Sequence, residues 1–218
     1  MLDKRLNIGV FGGTFNPIHN GHLRAADEAK RRLHLDIVIF VPSHVPPHKE
    51  LENDTSADHR LEMTRLAIGD RAGFEVSDLE VRRGGNSYTR DTMRELHQTY
   101  PNAKFTFLLG IDAYKDIATW YDVESVLPMA DWAVLLRPGY EREELDKPLG
   151  RLAELYDVMA DGSLWHEESG TRIYYLEIES IDVSSTQIRA RLETHEPTDD
   201  LVPSAVGDYI RKTGLYES

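Results

Sequence analysis

The chain has 218 residues, no cysteine, and a formal net charge of −13 from 38 acidic and 25 basic residues. The missing cysteines exclude a disulfide scaffold, a zinc–thiolate site and a thiol nucleophile, and the acidic balance argues against nucleic acid or an anionic membrane as partner. The length suits one well-buried domain over residues 1–218, no apolar run approaches the span of a bilayer, and no export signal is visible, so a cytoplasmic enzyme is expected.

In chain order, residues 6–11 read as a short apolar strand, and residues 23–33 carry Leu23, Ala26, Ala29 and Leu33 at helical spacing. Further strands are predicted over 36–42, 74–77, 104–110, 131–137 and 172–178, with helices over 57–68, 89–100, 121–127 and 143–159. Residues 184–194 and 204–212 read as helices that make 184–218 a closing segment, and 139–148 and 196–203 read as loops. Strand and helix alternate, which predicts an α/β fold: a doubly wound, mainly parallel sheet with helices on both faces. Ligands in such sheets bind at the carboxyl ends of the strands, where strand order reverses.

The first strand runs into the helix through Gly12-Gly13-Thr14-Phe15-Asn16-Pro17-Ile18-His19-Asn20-Gly21-His22. Gly12 and Gly13 let the backbone come close to a ligand, and free N–H groups at the helix start favour an anion. If the helix begins at Asn20 or Gly21, His19 and His22 reach the same side of the strand ends and can donate to charge that builds on oxygen. The pair lacks the i, i+4 spacing of a helical zinc motif, and neither a Walker loop nor a dinucleotide fingerprint is present, so no protein-bound metal is expected here.

Other segments fall at the same predicted edge. Pro46 and Pro47 stiffen the approach to His48 and Lys49, which read either as a ligand lysine or as an ordinary exposed one. Asp112, after Gly110, can accept from a ribose or cap the next helix. Trp120 and Tyr121 are adjacent aromatics suited to packing or to a ligand platform. Ser184, Ser185 and Thr186 read as a capped helix start with Arg189 one turn on, where hydroxyls, N–H groups and a guanidinium can hold phosphate oxygens or simply cap the helix.

The run Gly12–His22 resembles the signature of the nucleotidyltransferases that carry a His-x-Gly-His motif, with Asn20 as x. Within that superfamily the chain is most similar to the bacterial nicotinate-nucleotide adenylyltransferase family. The likeness extends over Val41–Lys49, Ser87–Thr92, Leu109–Asp112, Thr119–Tyr121, Arg137–Tyr140 and Val183–Arg189. It implies a Rossmann-like nucleotidyltransferase fold and transfer of the adenylyl group of ATP to nicotinate mononucleotide, with Mg²⁺ carried by ATP and pyrophosphate. It assigns His19, His22, Lys49 and Arg189 to catalysis. To ATP it assigns Gly12, Gly13, Thr14, Phe15, Gly110, Asp112, Ser185 and Thr186 together with those histidines and Arg189. Thr14, Phe15, His48, Lys49, Ser87, Tyr88, Thr89, Trp120, Tyr121 and Arg137 are assigned to the acceptor nucleotide, with the aromatics stacking on the pyridine ring and Thr89 meeting its carboxylate.

Asn16 departs from that pattern, since many relatives carry aspartate there; the change removes a negative charge beside the phosphates and should not abolish activity. Nicotinamide mononucleotide or phosphopantetheine as acceptor, and a non-catalytic nucleotide sensor, stay open as alternatives. The sequence allows a homodimer as well as a monomer.

Overall fold

The computed structural model describes residues 5–47, 55–136, 145, 147–179 and 183–216. Eight strands form one sheet: β1 (Asn7–Gly13), β2 (Ile37–Pro42), β3 (Phe74–Val76), β4 (Lys104–Gly110), β5 (Asp131–Leu136), β6 (Asp157–Val158), β7 (Leu164–His166) and β8 (Thr171–Glu177). Their order is β3-β2-β1-β4-β5-β8-β7-β6, parallel from β3 to β8 and antiparallel over the last two. The chain winds outward from β1 to β3 and then returns to β4 on the other side, so strand order reverses between β1 and β4.

Strand periodicity divides the core. Val10, Ile39, Phe105, Phe107, Trp132 and Val134 point to one face, and Phe11, Val38, Phe40, Leu108, Ala133 and Leu135 to the other. The second face is covered by α1 (Asn20–Arg32), α2 (Ala57–Ile68) and α8 (Ser204–Thr213), through Leu23, Ala26, Met63, Ala67, Val206 and Ile210. The first is covered by α3 (Leu79–Arg83), α4 (Thr89–Thr99), α5 (Ile111–Tyr114) and α6 (Val123–Val126), through Leu79, Met93, Leu96, Ile111 and Val126. Helix α7 (Ser185–Glu193) lies after β8 and buries Ile188. No helix among the described residues is long and apolar enough to cross a membrane.

The expected helix over 143–159 is corrected by the structure. Residues 147–155 run as 3₁₀ turns broken at Gly150 (φ 53°, ψ −128°), and Asp157–Val158 is strand. Pro148 removes a backbone donor and Gly150 takes a conformation no helix contains, while Leu149 and Leu152 still reach the core and mimic helical spacing. The expected helix over 121–127 shortens to the single turn of α6, because Asp122 sits at φ 54° before it and Pro128 opens a 3₁₀ turn behind it. Strands β6 and β7 and helix α3 were not expected; each is five residues or fewer, too short for a periodic signal.

Candidate active site

Helix α1 starts at Asn20, so residues 14–19 form the turn from β1 at the carboxyl edge, beside the β1/β4 reversal. His19 is its N-cap, and the two histidines cap one another. The His22 N–H donates to His19 Nδ1 at 3.3 Å, and the His19 N–H donates to His22 Nδ1 at 3.3 Å. Their rings stack with centroids 3.7 Å apart, and Phe15 meets His22 edge-on at 5.1 Å. A nitrogen that accepts an N–H carries no proton, so each neutral ring holds its proton on Nε2, and Nε2–H becomes its donating group. The cap thus fixes the tautomer as well as the helix start.

The glycine of the motif has a packing cause. A Cβ on Gly21 would lie 2.9 Å from Val183 Cγ1 and 3.0 Å from His19 Nδ1, so the stacked ring and the segment before α7 both need that space. Gly21→Ala is expected to destabilise the fold by about 1–3 kcal/mol and to lower turnover by tilting His19; unchanged denaturation midpoint and turnover would contradict this. Gly12 and Gly13 have internal reasons too. A Cβ on Gly12 would lie 2.9 Å from the Phe107 ring, and one on Gly13 2.9 Å from the Phe15 ring. Phe15 itself is buried at φ 49°, a conformation costly for an aromatic residue.

Side chains from three other elements hold this turn. Arg60 of α2, wholly buried, donates to Thr14 O and His44 O at 2.8 Å each and to Thr55 O at 3.4 Å. Burial pulls its pKa down, an effect that Tyr216 and Glu80 oppose when ionised. Arg189 Nη1 donates to Asn16 O at 2.9 Å, and the Ser185 hydroxyl to Pro17 O at 2.9 Å. Ser184 caps α7 in a reciprocal box with Gln187, while the Thr186 hydroxyl accepts from Arg189 Nη2 at 3.4 Å. The α7 start therefore lies against the β1–α1 turn.

The Tyr216 hydroxyl donates to Asn16 Oδ1 at 2.5 Å, and burial holds that phenol up at about 12, so it stays a donor throughout the neutral range. An aspartate at position 16 could accept the same bond. Asn16→Asp is expected to leave the fold intact and raise KM for ATP roughly fivefold through the added negative charge. Unchanged ATP affinity and turnover would remove the charge argument.

Beyond β2, the Ser43 N–H donates to Gly13 O at 2.9 Å, and the buried Ser43 hydroxyl has no hydrogen-bond partner among the described residues. A polar ligand group reaching this edge would satisfy it. The His44 N–H donates to Ser87 Oγ at 2.8 Å and the Ser87 N–H to Val45 O at 2.9 Å, joining the turn before α4 to the turn after β2. Thr89 is the first residue of α4, behind Tyr88 as its N-cap. Tyr88 packs on Tyr121 with centroids 4.6 Å apart, and the Arg90 guanidinium lies 4.5 Å over the Tyr121 ring. Arg90 also binds Asp91 at 3.0 Å and Asp122 at 3.2 Å, which push its pKa up. Tyr121 is about half exposed, whereas Trp120 is half-buried and edge-on to Phe107 at 6.2 Å.

Gly110 is itself the N-cap of α5, which decides one alternative: Asp112 stands inside the first turn rather than at the cap. A Cβ at Gly110 would meet nothing within 4 Å, so this end of β4 is open. His48, Lys49 and Arg137 lie outside the described residues. Sequence reading missed Arg60, Tyr216, Glu80 and Arg90. Arg60 had a signal, since its spacing to Thr64 and Ala67 puts it on the buried stripe of α2; Tyr216 had none.

The mutually capping histidines of the βα turn are thus faced by the hydroxyl-rich start of α7. The cytidylyltransferase-like family model matches residues 10–191, and the chain belongs to that family. Within it the chain belongs with the nicotinate-nucleotide adenylyltransferases. It is 39% identical to the "probable nicotinate-nucleotide adenylyltransferase" of Citrifermentans bemidjiense, covering 97% of this chain and 98% of the relative. It is 41% identical to the protein of that name from Desulfitobacterium hafniense, covering 96% and 95%. Among solved structures, the nicotinic acid mononucleotide adenylyltransferase of Plasmodium falciparum complexed with NaAD shares the fold, with TM-score 0.73 and 21% identity over 97% of this chain and 98% of that one.

Proposed function

We propose that the chain transfers the adenylyl group of ATP to the 5′-phosphate of nicotinate mononucleotide, giving deamido-NAD and pyrophosphate, in the cytoplasm and as a step of NAD synthesis. The observation that carries the chemistry is the reciprocal His19–His22 cap, which commits both rings to Nε2–H donors beside an anion-favouring helix start. The acceptor follows from the relatives' name together with the aromatic and hydroxyl groups gathered around Thr89 and Tyr121.

The reaction is one displacement. An acceptor phosphate oxygen attacks the α-phosphorus in line, the bond from that phosphorus to the β-bridging oxygen breaks, and pyrophosphate leaves with the magnesium that entered on ATP. A phosphate monoester is already a nucleophile at neutral pH, so the protein has no proton to remove and works by positioning and charge stabilisation. His19 and His22 donate to the α-phosphate and bridging oxygens. The Ser185 N–H, Thr186 and Arg189 hold the outer phosphates, with Lys49 assigned beside them by resemblance. Gly110 and Asp112 take the adenosine. Trp120 and Tyr121 hold the pyridine ring, and the N–H groups at Thr89 meet its carboxylate.

Pyrophosphate release with ATP and magnesium, compared across nicotinate mononucleotide, nicotinamide mononucleotide and phosphopantetheine, tests this reading. A strong preference for the acid mononucleotide supports it. Preference for another acceptor overturns the pyridine-site assignment, and ATP binding without release under any acceptor makes the protein a sensor.

A further inference from the structure

The α3–α4 corner buries a carboxylate that the proposed reaction does not use. Glu80 is 6% exposed and accepts from the Thr92 hydroxyl; burial pushes its pKa up, and the Thr92 and Ser87 hydroxyls beside it act against that rise. Ser87 Oγ accepts the His44 N–H, which leaves its single proton for the neighbouring Glu80. Thr92 lies one turn into α4, with its hydroxyl 3.3 Å from Tyr88 O, and it accepts from Arg83 Nη2 at 3.2 Å; Arg83 in turn binds Glu95 at 2.6 Å. The chain reaches this corner through Gly84 and Gly85, both at positive φ with no side-chain contact to require them, so the turn needs fastening from below. From His44 the polar path continues through its carbonyl to Arg60 and on to Thr14 O in the β1–α1 turn.

We propose that Glu80 is a positioning residue that fixes the Ser87–Thr89 turn, and with it the α4 start, in register with the nucleotide-binding turn. The inference rests on the reading that this turn receives the acceptor. Glu80 and the Arg60 guanidinium, both buried, terminate one polar path through Ser87 and His44, and that path spans the three turns that would hold the two substrates. Ser87 acts in it by orienting backbone, with its hydroxyl oxygen holding the His44 N–H. A buried carboxyl group is costly to leave without its hydroxyl partner, so the start of α4 that carries Thr92 has one preferred placement.

Steady-state kinetics of Glu80→Gln, Ser87→Ala and the double variant test this, with Thr92→Val and Thr92→Ser alongside. Each of Glu80→Gln, Ser87→Ala and Thr92→Val is expected to raise KM for the acceptor about tenfold while KM for ATP stays within about twofold. Thr92→Ser, which keeps the hydroxyl, should restore the acceptor KM. The double variant should be no worse than the poorer single one, because both residues act in one path. Additive effects, an unmoved acceptor KM, or equal rises in both KM values would overturn the proposal. Should Glu80→Gln not fold, the Thr92 pair decides between the same outcomes. The comparison uses whichever acceptor the unaltered protein prefers, so a wrong acceptor shows in the unaltered protein and a wrong role for Glu80 shows only in the variant ratios.

Discussion

His22→Ala is expected to lower kcat about 100- to 1,000-fold, as removal of one preorganised donor does at other oxyanion sites. His22 has two duties in the proposed mechanism, however: its Nδ1 closes the α1 cap and its Nε2–H is proposed as the donor to substrate. Losing the cap alone costs about 0.5–2 kcal/mol of stability, which a thermal melt separates from turnover. His22→Gln divides the duties more cleanly. Glutamine at the third helical position can close a capping box through Oε1, while a flexible amide NH2 replaces the ring-fixed Nε2–H donor. The account expects a near-normal melt with kcat still reduced at least 100-fold. Full activity in His22→Gln would mean that only the helix start mattered.

Arg60→Met should have the largest effect on stability. It leaves the carbonyls of Thr14, Thr55 and His44 without their charged donor in a wholly buried position, and it strands Glu80 at the far end of the polar path. Removing one member of such a buried set costs about 3–5 kcal/mol, which equilibrium denaturation measures directly. A loss below about 1 kcal/mol would place Arg60 among ordinary surface arginines and undo the argument that it clamps both substrate turns. Charge-conserving Arg60→Lys should recover only part of the loss, because a single ammonium cannot span three carbonyls set apart by the guanidinium fork.

The parts of the fold legible in the sequence were those whose chemistry is local. Residues 57–68 and 104–110 are helix and strand to the residue, because an N-cap serine precedes the first and an apolar run bounded by glycine forms the second. The His19–His22 turn was legible because glycine spacing and a helix start are short-range features. That the two rings cap each other, and so settle their own tautomers, needed the structure. The turn over 147–155 was misread because its leucines keep a helical interval around a proline and a glycine. Glu80 and Tyr216 were invisible for a different reason: their meaning comes from contacts across 12 and 200 positions in the chain, with Thr92 and Asn16. No window of residues carries that information.

The central claim is that two capped histidines assist a single direct displacement with no residue attached to the nucleotide. The stereochemistry at phosphorus tests it, using ATP made chiral by sulfur at the α-position and analysis of the configuration in the dinucleotide product. Inversion is the result of one in-line attack and is what the geometry predicts. Retention would require two displacements through a covalent adenylyl–protein intermediate and would contradict the mechanism.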